Sequence, residues 1–235
     1  SSDWSQTCAL PISGSSILGG RFSGRKGQAM NPKVLPAEAW AVVKLLKRTD
    51  LLDGWIVAGG TALALQLGHR ISVDLDFFQH EDFQVAPLRQ ALARLGKLEV
   101  QSMEPGTLHC RLDDIRLTFL RSEVPFLYEP VPYRGLHLAD VRDIAAMKVI
   151  AVAGRGAKKD FIDLYAYLEA GASFADLMAV VQQRYRDTDF NVMHLLRSLV
   201  YFDDAEAEPM PKMLSRAGWP EIRRRLESEA RDWAP

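Results

Sequence analysis

The residues best suited to chemistry lie between Trp55 and Phe78. A short apolar run, Trp55-Ile56-Val57-Ala58, leads into Gly59-Gly60 and then a helix-forming stretch from Thr61 to Leu67, closed by Gly68-His69-Arg70. Glycines at a strand-to-helix turn let a ligand approach the backbone, and the helix start offers unpaired N–H groups to an anion. Asp74-Leu75-Asp76 follows shortly after, within a strand expected over Ser72–Phe78. Alternate strand residues face the same way, so Asp74 and Asp76 project to one side while Leu75 and Phe77 project to the other. Two neighbouring carboxylates repel and are costly to desolvate. A divalent cation between them reverses that penalty, and magnesium suits the pair because it takes carboxylate oxygens together with substrate phosphate oxygens. Such an ion lowers the pKa of an attacking hydroxyl and neutralises charge developing on phosphates. The plainer account is two aspartates at a solvated strand end, satisfied by Arg70 or by helix N-termini. The glycine pair just upstream favours the functional one.

A second cluster lies downstream. Lys148 sits on an otherwise apolar helix with Ala145, Ala146 and Ile150, where it either snorkels or is aimed at a phosphate. Asp160 and Asp163, three apart at a helix start, share one face, a position where carboxylates also complement the helix dipole. Arg70 either meets a phosphate or braces Asp74, and bracing carries slightly more weight. His69, His80, His109, His137 and His194 show no ligand spacing, and His109 beside Cys110 is a strand pair facing opposite ways, which sets zinc aside. Ser72 has no His–acid partnership, so nucleophilic catalysis is not indicated. Arg223-Arg224-Arg225, with Trp219 and Trp233 near it, is interspersed with Glu221, Glu227 and Glu229, which reads as a solvated amphipathic helix rather than an RNA surface.

These residues need elements to hold them. A helix is expected over Pro36–Leu52, a strand over Trp55–Ala58, a helix over Val85–Leu95, and strands over Leu98–Met103, Thr107–Leu112 and Ile115–Leu120, with Asp113-Asp114 as a tight hairpin turn. Pro125–Pro132 reads as a link. Beyond it, helices are expected from Asp140 to Val152 and at about 158–170, 173–186, 190–203 and 220–232. The fold class is thus α/β (α+β): a mixed-sheet domain over 30–135, then a helical half over 136–235 that completes the site. Residues 1–29, rich in Ser and Gly, carry linker chemistry and are expected to be a flexible, tag-like or misassigned segment.

Composition limits the function classes. Of 235 residues, 48% are apolar and 25% charged, which excludes wholesale disorder and allows a large core. Lys plus Arg (29) nearly balances Asp plus Glu (30), for a net charge of −1, far from the basic excess of a non-specific nucleic-acid binder. Two distant cysteines form no redox or ligand motif, so a cytoplasmic setting is expected. No apolar run approaches the roughly 20 residues of a membrane-spanning helix, and no membrane partner is expected.

The stretch Val57-Ala58-Gly59-Gly60-Thr61-Ala62-Leu63-Ala64-Leu65, with Gly68-His69-Arg70 and Ser72-Val73-Asp74-Leu75-Asp76-Phe77-Phe78, resembles the opening motif of minimal nucleotidyltransferase-fold proteins. It is most similar to the AbiEii-type nucleotidyltransferase toxins of type IV toxin–antitoxin (abortive-infection) systems. The family's later lysine matches Lys148, and its Arg–x–Lys–Asp–x–x–Asp type segment matches Arg155, Lys159, Asp160 and Asp163. The resemblance implies a nucleotidyltransferase fold. It also implies magnesium-dependent transfer of a nucleoside monophosphate from an NTP to an RNA (tRNA) or protein acceptor, and a possible cognate antitoxin. It gives Gly59, Gly60, Thr61, Arg70 and Lys159 to nucleotide phosphates, Asp74 and Asp76 to the metal, and Lys148 to phosphate charge. Asp160 or Asp163 would orient that lysine or the acceptor. One departure stands out: many enzymes of this fold carry a third metal-binding carboxylate on a later strand, whereas Ile115–Leu120 has none, with Thr118 at the expected place. That gap supports an alternative, a catalytically impaired module that binds NTP or a protein partner without transfer.

Overall fold

The structure, a computed structural model, describes residues 30–233. The expectation for residues 1–29 lies outside the described residues. After a 3₁₀ turn over Pro32–Val34 come α1 (Ala37–Leu46), a second 3₁₀ turn over Asp50–Leu52, β1 (Ile56–Ala58), α2 (Gly59–Leu67) and β2 (Leu75–Gln79). Next are α3 (Val85–Ala93), β3 (Leu98–Glu104), β4 (Thr107–Leu112), β5 (Ile115–Arg121), β6 (Val131–Tyr133) and β7 (Leu136–Leu138). The remainder is helical: α4 (Val141–Arg155), α5 (Lys158–Glu169), α6 (Phe174–Arg184), α7 (Val192–Leu199), α8 (Asp203–Glu206) and α9 (Trp219–Asp232).

The strands form one mixed sheet in the order β3-β4-β5-β2-β1-β7-β6. β2 runs parallel to β5 and antiparallel to β1, while β1 runs parallel to β7. Asp113 and Asp114 both take left-handed backbone angles, φ 47° and 67°, as a two-residue hairpin turn requires. That turn sets Leu112 opposite Ile115 and, counting outward, His109 opposite Thr118. Alternation does the rest. Leu75 and Phe77 of β2, Leu117 and Phe119 of β5, and Leu108, Cys110 and Leu112 of β4 are fully buried on one face. Asp76, Thr118 and His109 line up across the other. α3 packs on β3 and β4, and α1 touches β5. Trp55 lies edge-on to Phe83 and Phe119, and Phe77 stacks on Phe119.

Several elements differ from the expectation. The first helix stops at Leu46, where Thr49 starts a separate 3₁₀ turn with its hydroxyl. α2 begins at Gly59 itself rather than after the glycine pair. β2 begins at Leu75, not Ser72, so Asp74 sits on the approach to the strand. The reason lies in backbone pairing: Ile71 N donates to Lys212 O, and Ser72 N donates to Val34 O, instead of to a sheet neighbour. The helix expected over 190–203 is shortened to α7, and the separate short helix α8 begins only at Asp203. The link after Pro125 contains the unforeseen hairpin β6–β7, turned by Arg134 and Gly135 at φ 50° and 81°. These strands are only three residues long, and Pro132 is on β6, the sheet's edge.

α4 begins where expected. The Asp140 carboxylate accepts from Arg142 N at 2.9 Å, and Gly156 ends the helix in a left-handed turn. α4 and α5 both pack on α2, which ties the helical half to the glycine turn.

Candidate active site

The glycine pair is required by what presses against it. Gly59 has φ +70°, and a Cβ there would lie 2.6 Å from Asp76 Oδ2. A Cβ on Gly60 would collide with the Arg70 guanidinium. The bare backbone therefore makes room for a carboxylate and a guanidinium packed directly on the first turn of α2. No side chain caps that turn, because Ala58 occupies the N-cap, so its first N–H groups remain free to meet an anion. Thr61 is buried beneath, its hydroxyl bonded to the Asp74 carbonyl and to Ser72 Oγ at 2.8 Å. It fixes the approach to β2 and does not line the cleft, in contrast to the phosphate-binding role expected of it.

Behind the turn lies a buried ionic network. Lys148 Nζ reaches Asp160 Oδ1 and Asp163 Oδ2, each at 2.7 Å. Asp160 also accepts from Arg155 Nε at 2.8 Å and Nη2 at 3.0 Å. Asp163 accepts a two-pronged bond from Arg70, at 2.7 and 3.0 Å, and contacts His69 Nε2 at 2.8 Å. The Asp163 side chain is fully buried. Burial alone would raise its pKa, but Lys148, Arg70 and His69 hold it well below the usual carboxylate range. Asp160 is likewise lowered against its burial by Arg155 and Lys148. In return the two carboxylates raise the pKa of Lys148 against its own desolvation. Both aspartates thus orient the lysine. Arg70 braces Asp163, not Asp74 as expected; Asp74 instead has Arg116 Nη1 3.9 Å from its Oδ2.

These groups face a cleft of about 560 Å³. Asp74, Asp76, Gly59 and Gly60 line it together with Arg70, Lys148, Arg155 and Lys159, and the Arg70 guanidinium packs directly against Gly60. Lys159 is exposed and forms no ion pair among the described residues. Burial, with the charge of Asp74 beside it, holds the Asp76 carboxyl above the usual range, partly offset by the Thr118 hydroxyl, Lys148 and Lys159. That is the state of a carboxylate set among its own kind and short of a cation. The donor set is two hard oxygen ligands, the kind magnesium takes alongside phosphate oxygens. Among the described residues, no group of three or more His, Cys, Asp or Glu side chains is gathered for a metal. The pair therefore fits an ion whose remaining ligands come from substrate and water.

Asp76 has Thr118 as its partner on β5 and, one strand further, Thr118 has His109 on β4. His109 Nδ1 is 3.3 Å from Thr118 Oγ1, and both residues line the cleft. Sequence reasoning set His109 aside. It also placed no role on Arg116, and matched Arg155 to a motif without assigning it to the site. The hairpin register around Asp113-Asp114 was the signal that could have found His109.

Comparisons with known proteins give the chain a family and its fold a relative. The family described as "Nucleotidyl transferase AbiEii toxin, Type IV TA system" matches residues 42–235. A protein of Aquifex aeolicus, described only as uncharacterized, is 35% identical over 163 residues, covering 67% of this chain and 78% of that protein. The MenT4 nucleotidyltransferase toxin of Mycobacterium tuberculosis superposes with a TM-score of 0.53 at 16% identity, covering 85% of this chain and 87% of that one. At that identity the likeness carries the fold alone.

Proposed function

The chain belongs to the AbiEii family of type IV toxin–antitoxin nucleotidyltransferases, and from that premise we propose that it moves a nucleoside monophosphate from an NTP to an RNA (tRNA) or protein acceptor, with magnesium, releasing pyrophosphate. One observation carries the reading: two carboxylates, the uncapped start of α2 and a set of basic side chains share a single cleft. A triphosphate is the ligand that calls for all three. The N–H groups of Gly59 and Gly60 would receive phosphate oxygens, and Lys159, without an ion pair among the described residues, would meet them within the same cleft. Lys148, held at a fixed position by Asp160 and Asp163, would stabilise charge that develops on the transferred group. Asp74 and Asp76 would hold the magnesium. When bound there it supplies charge neutralisation and acidifies the attacking hydroxyl. Asp163 holds the Arg70 guanidinium against the glycine turn, so that the chain would contribute mainly positioning and preset charge. The family points to a role as a toxin restrained by a cognate antitoxin.

The test is incubation of the purified protein with each α-labelled NTP, magnesium, and either total RNA or a protein extract. Label should enter one acceptor pool from a preferred nucleotide, and Asp76→Asn should abolish it while leaving the circular dichroism unchanged. Full activity in Asp76→Asn would remove that residue from the metal site. A second reading, NTP binding without transfer, is favoured by one feature, the hydroxyl of Thr118 where a third carboxylate is expected. It predicts magnesium-dependent NTP binding by equilibrium dialysis with no incorporation into either pool.

A further inference from the structure

We propose that His109, held in place through Thr118, takes the proton of the attacking acceptor hydroxyl, an inference that rests on the transfer reading above. β5 lies beside β2, and Thr118 is the residue aligned with Asp76. The next position in that row is His109, whose Nδ1 is 3.3 Å from Thr118 Oγ1. The direction of these bonds follows from proton counting. A carboxylate only accepts, so in this proposal the single Thr118 proton goes to Asp76, its partner across the strand pair. Thr118 Oγ1 must then accept from His109, which places the imidazole proton on Nδ1 and leaves the Nε2 lone pair free.

The other candidate bases are already committed. Asp160 and Asp163 are saturated by Lys148, Arg155, Arg70 and His69. Asp74 and Asp76 are assigned to the metal. His109 is thus a neutral base lining the cleft with an unused lone pair. In the step, the acceptor O–H bond breaks and its proton passes to Nε2. The oxygen forms a bond to the α-phosphorus, and the bond from that phosphorus to the bridging oxygen breaks, its electron pair leaving on pyrophosphate. The charged groups that share the cleft with the ring are Asp74 and Asp76 and the basic Arg70, Arg116, Lys148, Arg155 and Lys159. On β3 its register partner is the uncharged Ser102, and Gln101 lines the cleft nearby.

The experiment uses the full chain, the acceptor pool that takes label from the wild type, and saturating NTP. His109→Ala and His109→Gln should each lower the transfer rate by about 10²–10⁴-fold, with NTP affinity by equilibrium dialysis unchanged. The wild-type rate should fall on the acid side of the pH profile, and that limb should vanish in both variants. Thr118→Val, which removes the group that orients the ring, should slow transfer and distort the same limb without altering NTP affinity. A wild-type rate and pH profile in His109→Ala overturns the assignment, as does a loss that NTP affinity shares in equal measure. Silence of the wild type with every NTP and both pools defeats instead the transfer reading beneath it.

Discussion

Asp76 costs the fold stability at neutral pH. Its carboxyl is raised by burial and by Asp74, so between the ordinary carboxylate pKa and the raised one the folded state binds more protons than the unfolded chain. Stability from this group therefore falls as pH rises through that window. Asp76→Asn should accordingly be more stable than wild type in urea at pH 7, with the gap closing near pH 4, while on the proposed reading it should transfer no nucleotide. Asp163 has the opposite sign: its pKa is lowered, so its contribution is complete above the ordinary carboxylate value and is lost as pH falls through the lowered one. Asp163→Asn leaves Lys148 with one carboxylate and Arg70 with none, a buried charge uncompensated, at a cost of about 3–5 kcal/mol in the unfolding free energy from urea titration at pH 7. Lys148→Met should cost less, because Asp160 keeps Arg155 and Asp163 keeps Arg70; its loss of transfer should be just as complete. At this scale the sequence was legible wherever residue type and local spacing carry the information. The glycine pair, the two same-face aspartates, and the lysine followed by Asp160 and Asp163 are of this kind. It was not legible that Arg70 belongs to Asp163, because that pairing joins residues 93 positions apart and depends on how α5 docks against α2. His109 is a third case. Its place opposite Thr118 followed from the Asp113-Asp114 turn already identified, but comparing it only with its chain neighbour Cys110 hid that.

Among the elements, α2 and α4 have the most to do with the site. The first turn of α2 can receive an anion only while Gly59 holds a left-handed conformation beneath Asp76. Gly59→Ala adds a strained backbone, about 1–2 kcal/mol, and a methyl group 2.6 Å from the Asp76 oxygen. The prediction is a modest drop in thermal midpoint together with loss of NTP binding by dialysis, a functional loss far larger than the structural one. α4 has a second duty at its N-terminal end. Asp143, fully buried, accepts from Leu127 N and Tyr128 N, each at 3.0 Å, and from Arg184 of α6, which also bonds the Pro125 carbonyl at 2.8 Å. The proline-rich link is therefore anchored to two helices. Helices with clear boundary chemistry, such as Asp140 before α4 and Ser173 before α6, were legible because a capping side chain marks the start locally. The hairpin β6–β7 was not, since two three-residue strands present no period and gain their meaning only from β7 pairing with β1.

The whole molecule is expected, by its contacts, to unfold as one cooperative unit. A continuous hydrophobic core runs from Val34 and Leu46 through the sheet to Phe161, Leu199 and Leu226. Polar contacts tie the sheet half to the helical half at several places: Asp163 bonds His69 and Arg70, backbone bonds join 69–71 to 212–215, and Asp143 and Arg184 hold the link after Val124. Two tryptophans report on the two ends. Trp55 sits against Phe83 and Phe119 beneath the sheet, with ring centroids 4.9 and 5.0 Å away. Trp219 meets Phe202 and Phe161 at 5.7 and 6.0 Å among the helices. Variants that keep only Trp55 or only Trp219, the other tryptophans replaced by phenylalanine, should unfold in urea with coincident midpoints and equal slopes, which is the signature of a single transition. The alternative is a helical half that loosens first, so that the Trp219 signal moves at lower urea than the Trp55 signal. Asp163→Asn sharpens the comparison, because it cuts the ionic link and leaves the apolar core whole. If that core alone enforces cooperativity, both signals shift together by the same amount. If the ionic link carries it, the two midpoints separate only in the variant, and the cleft, which is built from both halves, opens before either half melts.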